Sequence, residues 1–228
     1  MSNQNLTRVV FLLDRSGSMQ SIKSDVIGGF DAFLTEQRAG DGQCTVTLAQ
    51  FDNVYEVVYR DIDLAQVPPL ELEPRGSTAL LDSMGKLITD TSADIGALAE
   101  DDKPGTVIVA IMTDGLENAS QEWRRPDIKA LVEQQTNDHG WEFLYMGADQ
   151  DAIEVGVSLG VQANRSMTYS RDASGPAMAA TSAMVGRLRN ARLLGAPAAD
   201  IGYTNAERDA AAGESPGPRP TKKPRPRR

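Results

Sequence analysis

Apolar runs alternate along the chain with segments whose apolar positions recur at helical spacing. Residues 9–13 and 106–112 are continuous apolar runs, typical of strands buried on both faces of a parallel sheet. Residues 141–146 predict a further central strand. The intervening segments have apolar residues every three or four positions, which predicts helices near 22–38, 77–98, 126–136, 151–159 and 176–194. This alternation predicts an α/β sheet covered by helices on both faces.

One pair of segments predicts an antiparallel hairpin within this sheet. Residues 45–51 and 55–61 are rich in β-branched and aromatic residues, and Asp52 and Asn53 between them suit a tight turn. Residues 166–169 predict a weak sixth strand. The predicted fold is therefore a Rossmann-like, doubly wound, mostly parallel six-stranded sheet with one antiparallel edge strand.

The composition changes after residue 195. Residues 196–228 are rich in Ala, Gly, Pro and Arg and lack apolar periodicity, which predicts one domain over 1–195 and a disordered basic tail. The net charge of −9 divides into −12 for residues 1–195 and +3 for the tail. Because an acidic domain repels a phosphate backbone, only the tail is expected to contact nucleic acid.

The remaining composition points to a cytoplasmic protein. No segment approaches the ~20 apolar residues that a membrane helix needs, and the first eight residues lack the apolar core of a signal peptide. The single cysteine, Cys44, fits a reducing compartment. With one cysteine and one histidine, His139, the chain lacks the ligands of a Cys/His zinc site.

A polar loop follows the first predicted strand. Asp14, Ser16 and Ser18 place one carboxylate and two hydroxyls at alternate positions, and Gly17 eases the bend that turns them toward one point. Hard divalent cations prefer such oxygen ligands. The loop therefore predicts a metal site.

Two more polar residues lie at predicted element ends. Thr78 opens the second helix, where Ser77 or Thr78 is well placed as N-cap, and Asp114 ends the 106–112 strand. Ligand sites in open α/β sheets form outside the carboxyl ends of the strands, where strand order reverses. Asp14 and Asp114 become neighbours if the first and fourth strands pair, although Asp14 and Thr78 taken singly are equally consistent with helix caps.

Together these segments resemble the metal-ion-dependent adhesion site (MIDAS) of von Willebrand factor type A (vWA) domains. The motifs Asp-x-Ser-x-Ser, Gly-Ser-Thr and Thr-Asp-Gly supply all five positions, and the similarity in element order covers roughly residues 6–194. The five positions are Asp14, Ser16, Ser18, Thr78 and Asp114. Residues 141–152, with Gly-Ala-Asp-Gln-Asp-Ala after the fifth strand, resemble cytosolic bacterial and phage members.

The resemblance implies a role for each residue. Ser16, Ser18 and Thr78 would ligate Mg²⁺ directly, with Mn²⁺ or Ca²⁺ as alternatives, and Asp14 and Asp114 would act mainly through bound waters. Neutral direct ligands would preserve the Lewis acidity of the ion, and an open position would accept a carboxylate from a partner's Asp or Glu. The loop residues Arg15, Glu117, Asn118 and Asp149 are candidates for a partner-binding rim.

These inferences favour a non-enzymatic, magnesium-dependent protein-binding module. The resemblance implies a partner such as an AAA+ ATPase or a multi-protein assembly. One alternative is a scaffold or a phage or virion-associated protein whose tail touches nucleic acid. Another is a metal-dependent hydrolase or phosphotransferase with Asp14 as nucleophile, but the sequence has no Asp-x-Asp pair after the first strand, no Walker lysine loop and no evident general base.

Overall fold

Six strands form a single sheet in the computed structural model, which describes residues 2–149 and 151–213. The strands are β1 (Asn3–Asp14), β2 (Gln43–Phe51), β3 (Tyr55–Asp63), β4 (Pro104–Thr113), β5 (Glu142–Ala148) and β6 (Ser166–Tyr169). Their order is β3-β2-β1-β4-β5-β6, and β3 at one edge is antiparallel to β2 while all other neighbours are parallel. The predicted fold class is confirmed.

Helices cover both faces of the sheet. They are α1 (Lys23–Arg38), α2 (Leu80–Gly96), α3 (Arg125–His139), α4 (Ala152–Ser158), α5 (Ser174–Leu193) and α6 (Asn205–Ala211). Alternate side chains of β1 enter two separate hydrophobic clusters, one shared with α1, α5 and α6 and the other with α2, α3 and α4. A strand buried on both faces must be apolar at every position, which accounts for the unbroken apolar run in β1.

Aromatic packing and one close backbone approach fix α1 against its neighbours. The ring of Phe11 on β1 meets Phe30 and Phe33 of α1 edge-on, with centroid distances of 5.1 and 4.9 Å. A Cβ added to Gly29 would lie 2.9 Å from the Cβ of Met178 on α5. Gly29 therefore permits close packing between two helices, and this packing offsets the low helix propensity of glycine.

The predicted domain boundary at residue 195 is too early. Residues 196–213 pack back onto the domain, and Ala198, Tyr203 and Ala211 are buried in the cluster that contains α1 and α5. The hydroxyl oxygens of Tyr203 and Thr181 lie 3.0 Å apart. The rest of the predicted tail, 214–228, lies outside the described residues. Across the described parts of the chain, no helix combines the length and apolar character needed to span a membrane.

The sheet reverses its strand order at β1. From β1 the chain passes to β2 on one side, while β4 pairs with β1 on the other side, with Leu13 opposite Met112. The carboxyl ends of β1 and β4 therefore lie side by side. This is the topological switch point at which open α/β sheets bind ligands.

Candidate metal centre

Asp14 is a fully buried carboxylate at the end of β1. Its Oδ1 accepts a hydrogen bond from the backbone N–H of Ser16 at 2.6 Å, and its Oδ2 accepts one from the hydroxyl of Thr113 at 2.6 Å. Burial raises the pKa of Asp14 to about 6, because desolvation outweighs these hydrogen bonds and the nearby charge of Asp114 acts in the same direction as burial. Two hydrogen bonds thus hold the Asp14 carboxylate in one orientation, and its burial shields it from solvent.

Two serine hydroxyls connect the β1 loop to Asp114 at the end of β4. The Oγ atoms of Ser16 and Ser18 are 3.1 Å apart, and Ser18 donates its hydroxyl hydrogen to Asp114 Oδ1 at 2.6 Å. Ser16 is buried and Ser18 is exposed. The motif after β1 therefore turns its hydroxyls toward Asp114, with Ser18 at the solvent side.

Thr78 reaches the same place from the segment before α2. The N–H of Gly17 bonds the carbonyl of Gly76 at 3.2 Å, which holds this segment against the β1 loop. A Cβ added to Gly115 would lie 3.1 Å from Thr78 Oγ1 and 3.9 Å from Ser18 Oγ. The hydroxyls of Thr78 and Ser18 therefore flank Gly115, where the missing side chain leaves space. All five predicted metal residues converge at this edge of the sheet.

The start of α2 differs from the prediction that Ser77 or Thr78 caps it. The helix begins at Leu80 with Ala79 as N-cap, and its free N–H groups bond side chains of the segment after β4. The carboxylate of Glu117 accepts a hydrogen bond from the N–H of Leu81 at 2.9 Å, and the hydroxyl of Ser120 accepts one from the N–H of Asp82 at 3.0 Å. Because these groups satisfy the helix terminus, the hydroxyl of Thr78 is not used as a cap.

The four predicted rim residues have different surroundings. Arg15 is 6% exposed and its guanidinium pairs with Asp52 and Glu56, so its side chain does not form a rim. Glu117 is half-buried and accepts from Leu81, Ala119 and Ser120. Asn118 accepts from Thr78 N at 3.0 Å. Asp149 is exposed at the end of β5 and has a left-handed φ of 49°. A partner-binding role for the last three stays a prediction.

Asp52 is a supporting residue that the sequence analysis interpreted only as part of a turn. It is 1% exposed, and its Oδ2 accepts from the Nε atoms of Arg15 at 3.1 Å and Arg75 at 2.8 Å. Its backbone carbonyl accepts from Ala79 N at 2.9 Å. Burial would raise the pKa of Asp52, but hydrogen bonds from Arg75 and Val54 and the two positive charges lower it overall. Asp52 joins the segments that carry Asp14 and Thr78.

Arg171 is a second residue that the sequence analysis missed. It follows β6, and its NH1 lies 3.5 Å from Asp114 Oδ2. Nothing in its local sequence indicates this contact, because Arg171 and Asp114 meet only when β4, β5 and β6 are paired.

The donor set fits a hard divalent cation. It consists entirely of oxygens, and Asp114 Oδ2 is buried with no hydrogen-bond partner. Within 2–149 and 151–213, no group of three or more His, Cys, Asp or Glu side chains suits a metal ion. The candidate site therefore depends on serine and threonine hydroxyls beside two carboxylates, and its assignment as a metal site stays a prediction.

Several solved structures have the same fold. Proximal thread matrix protein 1 from the mussel byssus aligns with a TM-score of 0.55 and 14% identity over 79% of this chain and 46% of its own. The vWF domain of the pilus tip protein Mfa5 from Porphyromonas gingivalis aligns with a TM-score of 0.55 and 12% identity, over 79% of this chain and 95% of its own. The pilus adhesin SpaC from Lactobacillus rhamnosus GG aligns with a TM-score of 0.56 and 15% identity, over 80% of this chain and 31% of its own.

The mussel protein has also been solved with zinc in its MIDAS motif, and that structure aligns with a TM-score of 0.53 and 14% identity. No protein-family model matches this chain, and no curated protein matches it in sequence. The chain spans less than half the length of the mussel protein and less than a third of SpaC. At these identities the comparisons establish architecture alone: the chain has the von Willebrand factor type A fold.

Proposed function

We propose that the protein is a magnesium-dependent binding module that captures an Asp or Glu side chain of a partner protein. The observation that carries this proposal is the convergence of the five predicted residues, with the buried Asp114 Oδ2 lacking a hydrogen-bond partner. A bound cation would give that oxygen a direct partner, which the Arg171 guanidinium at 3.5 Å does not provide as a hydrogen bond.

Each residue has a role in this proposal. The hydroxyls of Ser16, Ser18 and Thr78 would hold the ion together with the carboxylates of Asp14 and Asp114. Mg²⁺, or alternatively Mn²⁺ or Ca²⁺, would supply Lewis acidity toward the partner. A partner carboxylate would match the ion in charge and in ligand type.

The hydrogen bonds of Asp14 support binding over nucleophilic catalysis. One carboxylate oxygen accepts from Ser16 N and the other from the Thr113 hydroxyl. A nucleophile needs an oxygen that is free to approach its substrate. We therefore assign Asp14 to positioning the β1 loop, and we propose a protein that breaks no bond.

The partner is proposed to be a component of a protein assembly, such as an AAA+ ATPase complex. The structural neighbours include a pilus adhesin, a pilus tip protein and a byssal matrix protein, which are parts of assemblies.

A cytoplasmic, reducing location is part of the same proposal. Cys44 is buried, and burial raises the pKa of its thiol to about 11, which keeps it protonated and unreactive.

Selection from a random peptide library tests the function. The protein is panned in Mg²⁺ and, in parallel, in EDTA. We expect the magnesium selection to enrich peptides with a shared Asp or Glu, and changing that residue to Asn or Gln should abolish binding. The Asp14→Ala/Thr78→Ala double variant should enrich none of these peptides. Binding that persists in EDTA, or peptides without an acidic residue, would refute the proposal.

A further inference from the structure

Arg171 is held beside the candidate site by a set of directed contacts. Its Nε bonds Asp149 Oδ2 at 2.9 Å, and its NH2 bonds the backbone carbonyl of Asp114 at 3.1 Å. Its NH1 lies 3.5 Å from Asp114 Oδ2. The guanidinium is thus fixed in place at one edge of the site.

The contact with Asp114 differs from the other arginine contacts at this edge. Arg15 and Arg75 both pair with Asp52, which is not one of the five predicted metal residues. Arg171 instead faces the one Asp114 oxygen that has no hydrogen-bond partner. The Asp114 side chain is fully buried, whereas the Arg171 side chain is 37% exposed. The Arg171 guanidinium therefore lies on the solvent side of the buried Asp114 carboxylate.

Two cations beside one carboxylate repel each other. A guanidinium next to Asp114 compensates its charge before a metal binds, and it opposes the arrival of a second positive charge. At 3.5 Å from Oδ2, beyond ordinary hydrogen-bond length, Arg171 provides charge to Asp114 without a direct hydrogen bond to that oxygen. Its firm contacts are to Asp149 and to the backbone, so the guanidinium stays near the site when Asp114 takes another partner.

We propose that Arg171 is a built-in competitor of the metal ion that lowers the affinity of the site for divalent cations. The inference rests on the proposed function, because it assumes that the cation binds at Asp114. Removal of the charge at position 171 therefore tightens metal binding. A merely structural role for Arg171 gives the opposite sign, because loss of its contacts would loosen the loops and weaken the site.

Calorimetric titration of the full chain with Mg²⁺ and with Mn²⁺ tests the inference. Arg171→Met removes the charge, and Arg171→Lys retains it. Arg60→Met is the matched control, because it removes one positive charge from β3, where Arg60 pairs with Asp90 and Asp94. We expect Arg171→Met to bind the metal ion about tenfold more tightly than wild type does. The metal affinities of Arg171→Lys and Arg60→Met should both remain close to that of wild type. Arg171→Gln supplies the same comparison if the Met variant does not fold.

The outcomes separate this inference from the proposed function. If wild type binds metal, Asp14→Ala/Thr78→Ala does not, and Arg171→Met binds no tighter, then the Arg171 inference fails and the metal site stands. If neither wild type nor Arg171→Met binds metal, both fail. Binding by Arg171→Met alone supports the competitor role, since it shows that the guanidinium excludes the ion, and it overturns the proposed magnesium-dependent function of the wild-type protein.

Discussion

Ser18 donates its hydroxyl hydrogen to Asp114 across 2.6 Å, although 96 residues separate the two in sequence. The contact exists because β1 and β4 are neighbours in the sheet, which brings the loop after one strand against the end of the other. The candidate metal centre is therefore a property of the folded sheet. Residues outside the predicted ligand set should influence it through the loops that they hold.

Thr113→Val should destabilise the protein and weaken metal binding. The variant removes the hydrogen bond to the buried Asp14 carboxylate, with an expected loss of about 1–3 kcal/mol in the free energy of unfolding. Chemical denaturation and Mg²⁺ titration measure the two effects. Thr106→Val, near the opposite end of β4, is the control and should leave the Mg²⁺ affinity unchanged. Equal affinities in wild type and Thr113→Val would contradict a positioning role for Thr113.

Asp52→Asn should weaken the link between the β1 loop and the segment before α2. It removes a buried negative charge that Arg15 and Arg75 share, so we expect a loss of about 2–4 kcal/mol in unfolding free energy and reduced Mg²⁺ affinity. Asp94→Asn removes a half-exposed partner of Arg60 and should cost less than about 1 kcal/mol. Similar losses in the two variants would argue against the bridging role of Asp52.

Glu117→Gln tests the capping of α2 from a distant segment. Glu117 accepts from Leu81 N and from the N–H groups of Ala119 and Ser120, and an amide nitrogen cannot accept such bonds. We expect a loss of about 1–2 kcal/mol in denaturation experiments. The exposed Glu122 of the same segment provides the control, and Glu122→Gln should be close to neutral. An equally small effect at both positions would mean that Glu117 does not support the helix.

The contribution of Asp14 to the stability of the metal-free protein should fall as the pH rises from about 4 to about 6. Asp14 has a pKa of about 6 in the folded protein against 3.8 as its ordinary value, so the folded state binds more protons than the unfolded state in this window. The shift corresponds to about 3 kcal/mol. Asp14→Asn should remove this component, measured as the difference between variant and wild type in EDTA. Parallel pH profiles for the two proteins would contradict the pKa assignment.

The central part of the sheet could be predicted from the sequence because β1, β4 and β5 are buried on both faces. The predicted strand at 166–169 coincides with β6, and the continuous runs at 9–13 and 106–112 end one residue before β1 and β4 do, although β1 begins six residues earlier than its run. The five predicted metal residues do converge, because their motifs lie at the ends of these elements. The pattern of apolar residues thus determines both the architecture and the position of the candidate site.

The contacts that depend on tertiary structure could not be predicted. Asp52 occupies a hairpin turn, and nothing local shows that two arginines from other segments meet there. Helix α6 is too short for a clear apolar period, yet Thr204 and Glu207 form a capping box with reciprocal bonds of 3.2 and 2.7 Å. That Thr-x-x-Glu spacing was the available signal that the domain continues beyond residue 195.

Thermal unfolding with and without Mg²⁺ tests the central claim most directly. Wild type should gain about 2.7 kcal/mol of stability when Mg²⁺ is one hundred times its Kd, with a corresponding rise in Tm. Asp14→Ala/Thr78→Ala should lose this gain. Asp25→Ala/Thr35→Ala, which changes the same residue types on the exposed face of α1, should keep it. An equal rise in Tm for wild type and Asp14→Ala/Thr78→Ala, or no rise in wild type, would contradict a metal site that operates in the wild-type protein at the ends of β1 and β4.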